Sequence, residues 1–106
     1  MTIKFRWYRS GKLFGIRYEM EQGDALPVHS HEDETLHNVI VVAGTVALVL
    51  PDSEITATAG NVVDFDGTAR HTVRCESRHA TILNMFLNGI PDGYDTLPET
   101  EHQGTL

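Results

Sequence analysis

Cysteine occurs once in this 106-residue chain, as Cys75, which excludes an intramolecular disulfide and fits a reducing compartment. Cationic side chains are scarce: 8 Lys and Arg stand against 15 Asp and Glu, a formal net charge of −7 with neutral histidine. A surface of that sign repels phosphate backbones and anionic headgroups, so neither nucleic acid nor a membrane is the expected partner. Long apolar runs are also missing. The longest, 39–43 and 46–50, fall far short of the roughly 20 residues of a membrane-spanning helix. The opening MTIKFRWYRSGK lacks the apolar stretch of a secretory signal. A soluble cytoplasmic protein is the expectation. Sustained helical periodicity, internal repeats and low-complexity tracts are absent as well. The length suits one domain with a modest core and is too short for two.

What is present is a series of short β-rich runs punctuated by Gly, Pro, Asp and Asn every eight to twelve residues, the pattern of an all-β sandwich or barrel. Runs 3–9 and 13–21 alternate around Ser10-Gly11-Lys12 and read as a hairpin. Further strands are expected over 26–31, 36–43, 46–50, 55–59, 62–65, 71–75 and 80–87. Val39, Val41, Val46, Leu48, Val62, Val73, Ile82, Met85 and Phe86 are expected to supply core and pocket wall. After residue 88 the composition shifts, and 89–106 reads as a tail without a core of its own.

Histidine is concentrated. Three of the six fall between Gly23 and Gly44, as His29, His31 and His37, and His71 opens a later strand-like run. His29 and His31 are two apart, so on a strand both imidazoles project to one face. Four histidines converging on one barrel interior would make a metal site. Cys75, four residues after His71, falls on the same strand face and is expected as a small buried filler. His79 and His102 are expected to be exposed, Asp64 and Asp66 to be solvated loop carboxylates, and Arg70 and Tyr18 to be surface or rim residues.

The residues resemble the two signature motifs of the cupin superfamily, small jelly-roll barrels. The first motif of that family is a Gly, five residues, His-x-His, three or four residues, Glu, six residues and Gly. Here Gly23, His29-Ser30-His31, His37 and Gly44 keep that frame, with one extra residue before His37, which stands where Glu is usual. The second motif is a Gly, five residues, Pro-x-Gly, two residues, His, three residues and Asn. Gly60 and His71 keep its spacing, with Asp66 at the Pro position, Gly67 one place early and Cys75 at the Asn position.

The resemblance implies an all-β fold, a single-domain cupin double-stranded β-helix (jelly-roll barrel) over 1–88. It also implies a homodimer, and a divalent transition metal held by His29, His31, His37 and His71. If the extra residue slides the register, His37 becomes an outer group and Glu34 supplies the fourth ligand. The metal would be Fe, Zn, Ni, Cu or Mn, and an all-imidazole shell suits Zn, Fe, Ni or Cu better than Mg or Ca. The expected function is a metal-dependent enzyme on a small organic substrate, foremost a dioxygenase-like oxidoreductase. The alternatives are a zinc-dependent isomerase, lyase or cyclase, and a non-catalytic ligand-binding or sensor barrel.

Overall fold

The computed structural model describes residues 3–10, 13–30, 37–86 and 102–105, with side chains over 3–7, 14–30 and 37–86. Among the described residues nine strands are formed: β1 (Lys4–Ser10), β2 (Leu13–Glu21), β3 (His37–Ala43), β4 (Thr45–Val49), β5 (Glu54–Thr58), β6 (Val62–Phe65), β7 (Thr72–Cys75), β8 (His79–Met85) and β9 (His102–Thr105). No helix occurs among the described residues. A six-stranded sheet runs β6-β3-β8-β2-β1-β9, and a three-stranded sheet runs β5-β4-β7. Every ladder is antiparallel. This is the jelly-roll arrangement, in which two sheets face each other across one core.

The expected hairpin forms, with Ser10 opposite Leu13 and Lys4 opposite Glu19. Alternation then decides what is buried. Phe14, Ile16 and Met20 of β2, Val39 and Val41 of β3, and Ala80 and Ile82 of β8 point inward from the large sheet. Val46, Leu48, Val73 and Cys75 do so from the small one. Each fully buried aliphatic chain contributes roughly 1.5–3 kcal/mol, so this shared layer is what joins the sheets.

The chain changes sheets at Gly44. A bulge between Val41 and Ala43 breaks the β3–β8 register and leaves Val42 without a cross-strand partner and 51% exposed. Gly44 follows with φ of +81°, in the region that L side chains avoid, and the chain enters β4 in the other sheet. A bulge followed by glycine is a common way of turning a barrel corner.

Four expectations need correction. Residues 26–28 are not a strand. Only Ala25 and His29 form bridges, opposite Arg74 of β7 and His71 just before it, because Pro27 has no amide hydrogen and interrupts the ladder. Val62 is 57% exposed, since it shares the outer face of β6 with Asp64. Met85 is half-buried on the outer face of β8, between inward Asn84 and Phe86. Finally, His102–Thr105 pairs with β1 as an edge strand, where no strand was expected. Residues 87–101 and 106 lie outside the described residues.

Candidate functional site

Strand register gathers the histidines. His37 is the first residue of β3 and is 0% exposed. It stands directly opposite Phe65 of β6 and, through an isolated bridge, Phe86. Directly opposed residues project to the same face, so the imidazole is flanked by two phenyl rings, at centroid distances of 5.2 and 5.1 Å. His29 and His71 are joined by a reciprocal backbone pair, His29 N–H to His71 O at 3.0 Å and His71 N–H to His29 O at 2.8 Å. That pairing places their rings 4.3 Å apart. The His71 ring lies 5.7 Å from that of His37 and 4.7 Å from Phe65.

Both rims of the pair are built alike. His29 Nδ1 meets the Pro27 carbonyl at 2.6 Å, and His71 Nδ1 meets the Ala69 carbonyl at 2.7 Å. A carbonyl only accepts, so each Nδ1 carries a proton, and in a neutral ring so held Nε2 is the nitrogen with the lone pair. Orientation of an imidazole by a backbone carbonyl on its far nitrogen is how metal-binding histidines are commonly held. Burial pushes the His71 pKa below the ordinary imidazole value of 6.5; the Ala69 hydrogen bond opposes that shift, and neighbouring His29 adds to it. His71 is therefore a neutral donor at neutral pH, the form that ligates metals.

The Ala69 carbonyl is itself positioned by a turn. Asp66 accepts from Thr68 N–H at 3.0 Å and Thr68 Oγ1 at 2.6 Å, while Ala69 N–H donates to Asp66 O at 3.1 Å. The Thr68 hydrogen bonds hold the Asp66 carboxyl below its ordinary range. Asp66, expected as a plain solvated carboxylate, thus shapes the loop at the position where the family's motif has proline.

An aromatic row extends the wall across the large sheet. Phe86 packs on Phe14 at 5.3 Å with rings near perpendicular, and Phe14 on Trp7 at 5.8 Å. Tyr18 is half-buried and packs against both apolar clusters. Arg70 and His79 are exposed. Cys75 lies at the far end of β7 from His71, 0% exposed, with its thiol donating to the Ser77 carbonyl at 3.2 Å. It is the expected filler.

Of the four expected ligands, the His29 and His71 rings lie 4.3 Å apart and the His37 and His71 rings 5.7 Å apart. His31 and the alternative Glu34 fall within 31–36, outside the described residues. Among the described residues no three His, Cys, Asp or Glu side chains converge closely enough to hold a metal ion. The described donor set is the close, carbonyl-anchored pair His29–His71 with His37 beside it, and imidazole donors suit a borderline transition metal rather than Mg or Ca. Asn84, buried on the inward face of β8, was missed by the sequence reading. Its signal was a polar residue at an apolar-face position of an alternating strand.

The model of the cupin domain matches residues 16–86. No curated protein matches the chain. Among solved structures, the TT1209 protein of Thermus thermophilus is 26% identical with a TM-score of 0.64, over 79% of this chain and 77% of that one. An RmlC-like cupin from Desulfovibrio desulfuricans is 25% identical with a TM-score of 0.66, over 77% and 79%. KdgF from a Halomonas species is 16% identical with a TM-score of 0.72, over 90% and 84%, a likeness of fold alone. With both motif frames, the two-sheet barrel and a domain match covering most of its length, the chain belongs to the cupin superfamily.

Proposed function

We propose that this cupin is a metal-dependent enzyme acting on a small, planar organic substrate, with His29, His31, His37 and His71 as the metal-holding set. The observation that carries the reading is the His29–His71 pair: two imidazoles 4.3 Å apart, each with Nδ1–H on a backbone carbonyl two residues upstream. Two rings anchored in the same way are oriented as metal-binding imidazoles commonly are, with a backbone carbonyl on the far nitrogen. A bound transition metal supplies Lewis acidity there and, if redox-active, access to dioxygen; the proposed reaction class is dioxygenase-like oxidation.

The chain's own residues do the rest. Phe65 and Phe86 flank His37 and keep water from its ring, which strengthens polar interactions inside the barrel. The Phe86–Phe14–Trp7 row gives this side of the barrel an aromatic lining, and aromatic rings favour stacked and edge-on partners. The Asp66–Ala69 turn holds His71 in one orientation.

A second reading, a ligand-binding barrel without catalysis, is favoured by the aromatic and apolar character of that wall. Elemental analysis of the purified protein, with His29→Ala, His37→Ala and His71→Ala variants, tests the first. Near-stoichiometric iron, copper, nickel or manganese that falls in all three variants, with oxygen uptake on phenolic substrates, supports it. Zinc with the same dependence moves the reaction class to isomerisation or cyclisation. A protein that neither contains nor takes up metal rejects the enzyme reading in favour of the second.

A further inference from the structure

Asn84 is the polar exception on the inward face of β8. That strand alternates, with Ala80, Ile82 and Asn84 buried and the residues between them half-buried on the outer face. Asn84 is 4% exposed. It lies opposite Ile16 of β2, and the register that sets Ile40 against Leu83 and His37 against Phe86 places Val39 on its other side. None of these neighbours carries a polar side-chain atom. Asn84 Oδ1 is fully buried and accepts no hydrogen bond among the described residues. A buried amide oxygen that makes no hydrogen bond lowers the stability of a fold. Buried polar atoms without partners are rare in native proteins and call for an explanation.

The location supplies one. Asn84 is one cross-strand pair further in than His37 and Phe86, about 7 Å along the strand from strand geometry, and on the same inward face. We infer that Asn84 Oδ1 is the hydrogen-bond acceptor for a hydroxyl carried by the barrel's ligand, and that this ligand is a small phenol or enol. The rings of Phe86, Phe14 and Phe65 set the planarity of that ligand, and the buried acceptor sets its donor group. A site built to accept from a hydroxyl rejects the analogue that lacks it, because the buried acceptor is then left alone. The inference deepens the reading above. It rests on the barrel interior being the ligand site and not on the metal.

The test compares 4-fluorophenol with fluorobenzene by ligand-observed fluorine NMR, using wild type and Asn84→Leu, a substitution close in volume. Each protein is examined as purified and after chelator treatment, which separates a hydroxyl on Asn84 from one on a metal. Wild type is expected to bind the phenol about tenfold or more tightly than fluorobenzene in both states, and Asn84→Leu to lose that preference. The variant is also expected to melt at or above the wild-type temperature, since a buried amide oxygen with no hydrogen bond among the described residues has been replaced by an apolar group. A phenol preference that survives in Asn84→Leu, or that vanishes with chelator, overturns the inference. So does a variant that melts several degrees lower, which would make the amide structural. Metal content is read on the same samples. A metal-free wild type with an Asn84-dependent phenol preference leaves this inference standing and rejects the metal reading alone.

Discussion

Gly44→Ala should destabilise the fold far more than Gly60→Ala, although the two glycines have similar backbones. Gly44 has φ of +81° and Gly60 of +93°, so alanine at either meets the left-handed penalty, about 1–2 kcal/mol. The surroundings differ. A Cβ on Gly60 meets nothing within 4 Å, whereas one on Gly44 would lie 2.1 Å from the His79 carbonyl oxygen, 2.6 Å from Ser77 Oγ and 2.9 Å from Ala80 Cα. Two of those atoms are backbone at the start of β8, so relief requires the strand to move away from the corner between β3 and β4. Overpacking of this kind costs about 1–3 kcal/mol. Movement also strains the Ser77 hydroxyl, which accepts from Thr45 N–H at 2.9 Å and bonds the His79 carbonyl at 2.5 Å. The totals are about 2–5 kcal/mol for Gly44→Ala against about 1–2 for Gly60→Ala. With a urea m-value of about 2 kcal/mol/M, the midpoint falls by about 1–2.5 M in the first case and 0.5–1 M in the second. Urea titrations followed by circular dichroism read both midpoints. Equal shifts with unchanged m-values would refute the steric argument and leave only the φ term.

Two further outcomes are expected. Burial, with Asp24 and Glu76 nearby, raises the Cys75 thiol above its ordinary value of 9.0 against the opposing Ser77 hydrogen bond. The unfolded chain therefore loses this proton first: stability is intact below 9.0 and declines as pH rises towards the folded value. Cys75→Ala should flatten that alkaline decline in urea titrations from neutral to about pH 10, and an unchanged slope would contradict the assignment. Asp66→Ala removes the acceptor of the Thr68 hydrogen bonds, loosening the turn that presents the Ala69 carbonyl to His71. Metal affinity, measured by competition with a chromophoric chelator, should fall about tenfold or more, while Asp66→Asn, which keeps the acceptor, should stay near wild type. Loss in both variants would point to the charge of Asp66 rather than to its turn.

Much of the architecture was legible because alternation has a period of two and glycine marks corners. The strands at 13–21 and 62–65 coincide with β2 and β6, and the hairpin formed as read. Where alternation is interrupted, legibility failed. Pro27 broke the run carrying His29 into isolated bridges, and the Val41–Ala43 bulge turned Val42 outward. Such interruptions depend on which partner strand lies alongside. Val62 and Met85 were misplaced for a related reason, since an apolar residue at a strand end reveals its face only once the register is known.

By itself the sequence determined the class of the fold, the spacing of the histidines and the glycine corners. These are local properties, set by side-chain type and by distance along one chain. Only the tertiary structure decided what each histidine faces. His71 meets His29 because residues 25–29 bridge to β7 and the residue just before it, and His37 sits between Phe65 and Phe86 because β6 and β8 flank β3 in one register. The same holds for Asn84, an ordinary strand residue until burial among Ile16, Val39 and Ile82 leaves its oxygen without a partner among the described residues. Long-range antiparallel register brings residues tens of positions apart within contact distance, and shifting it by one would turn every one of these side chains to the other face.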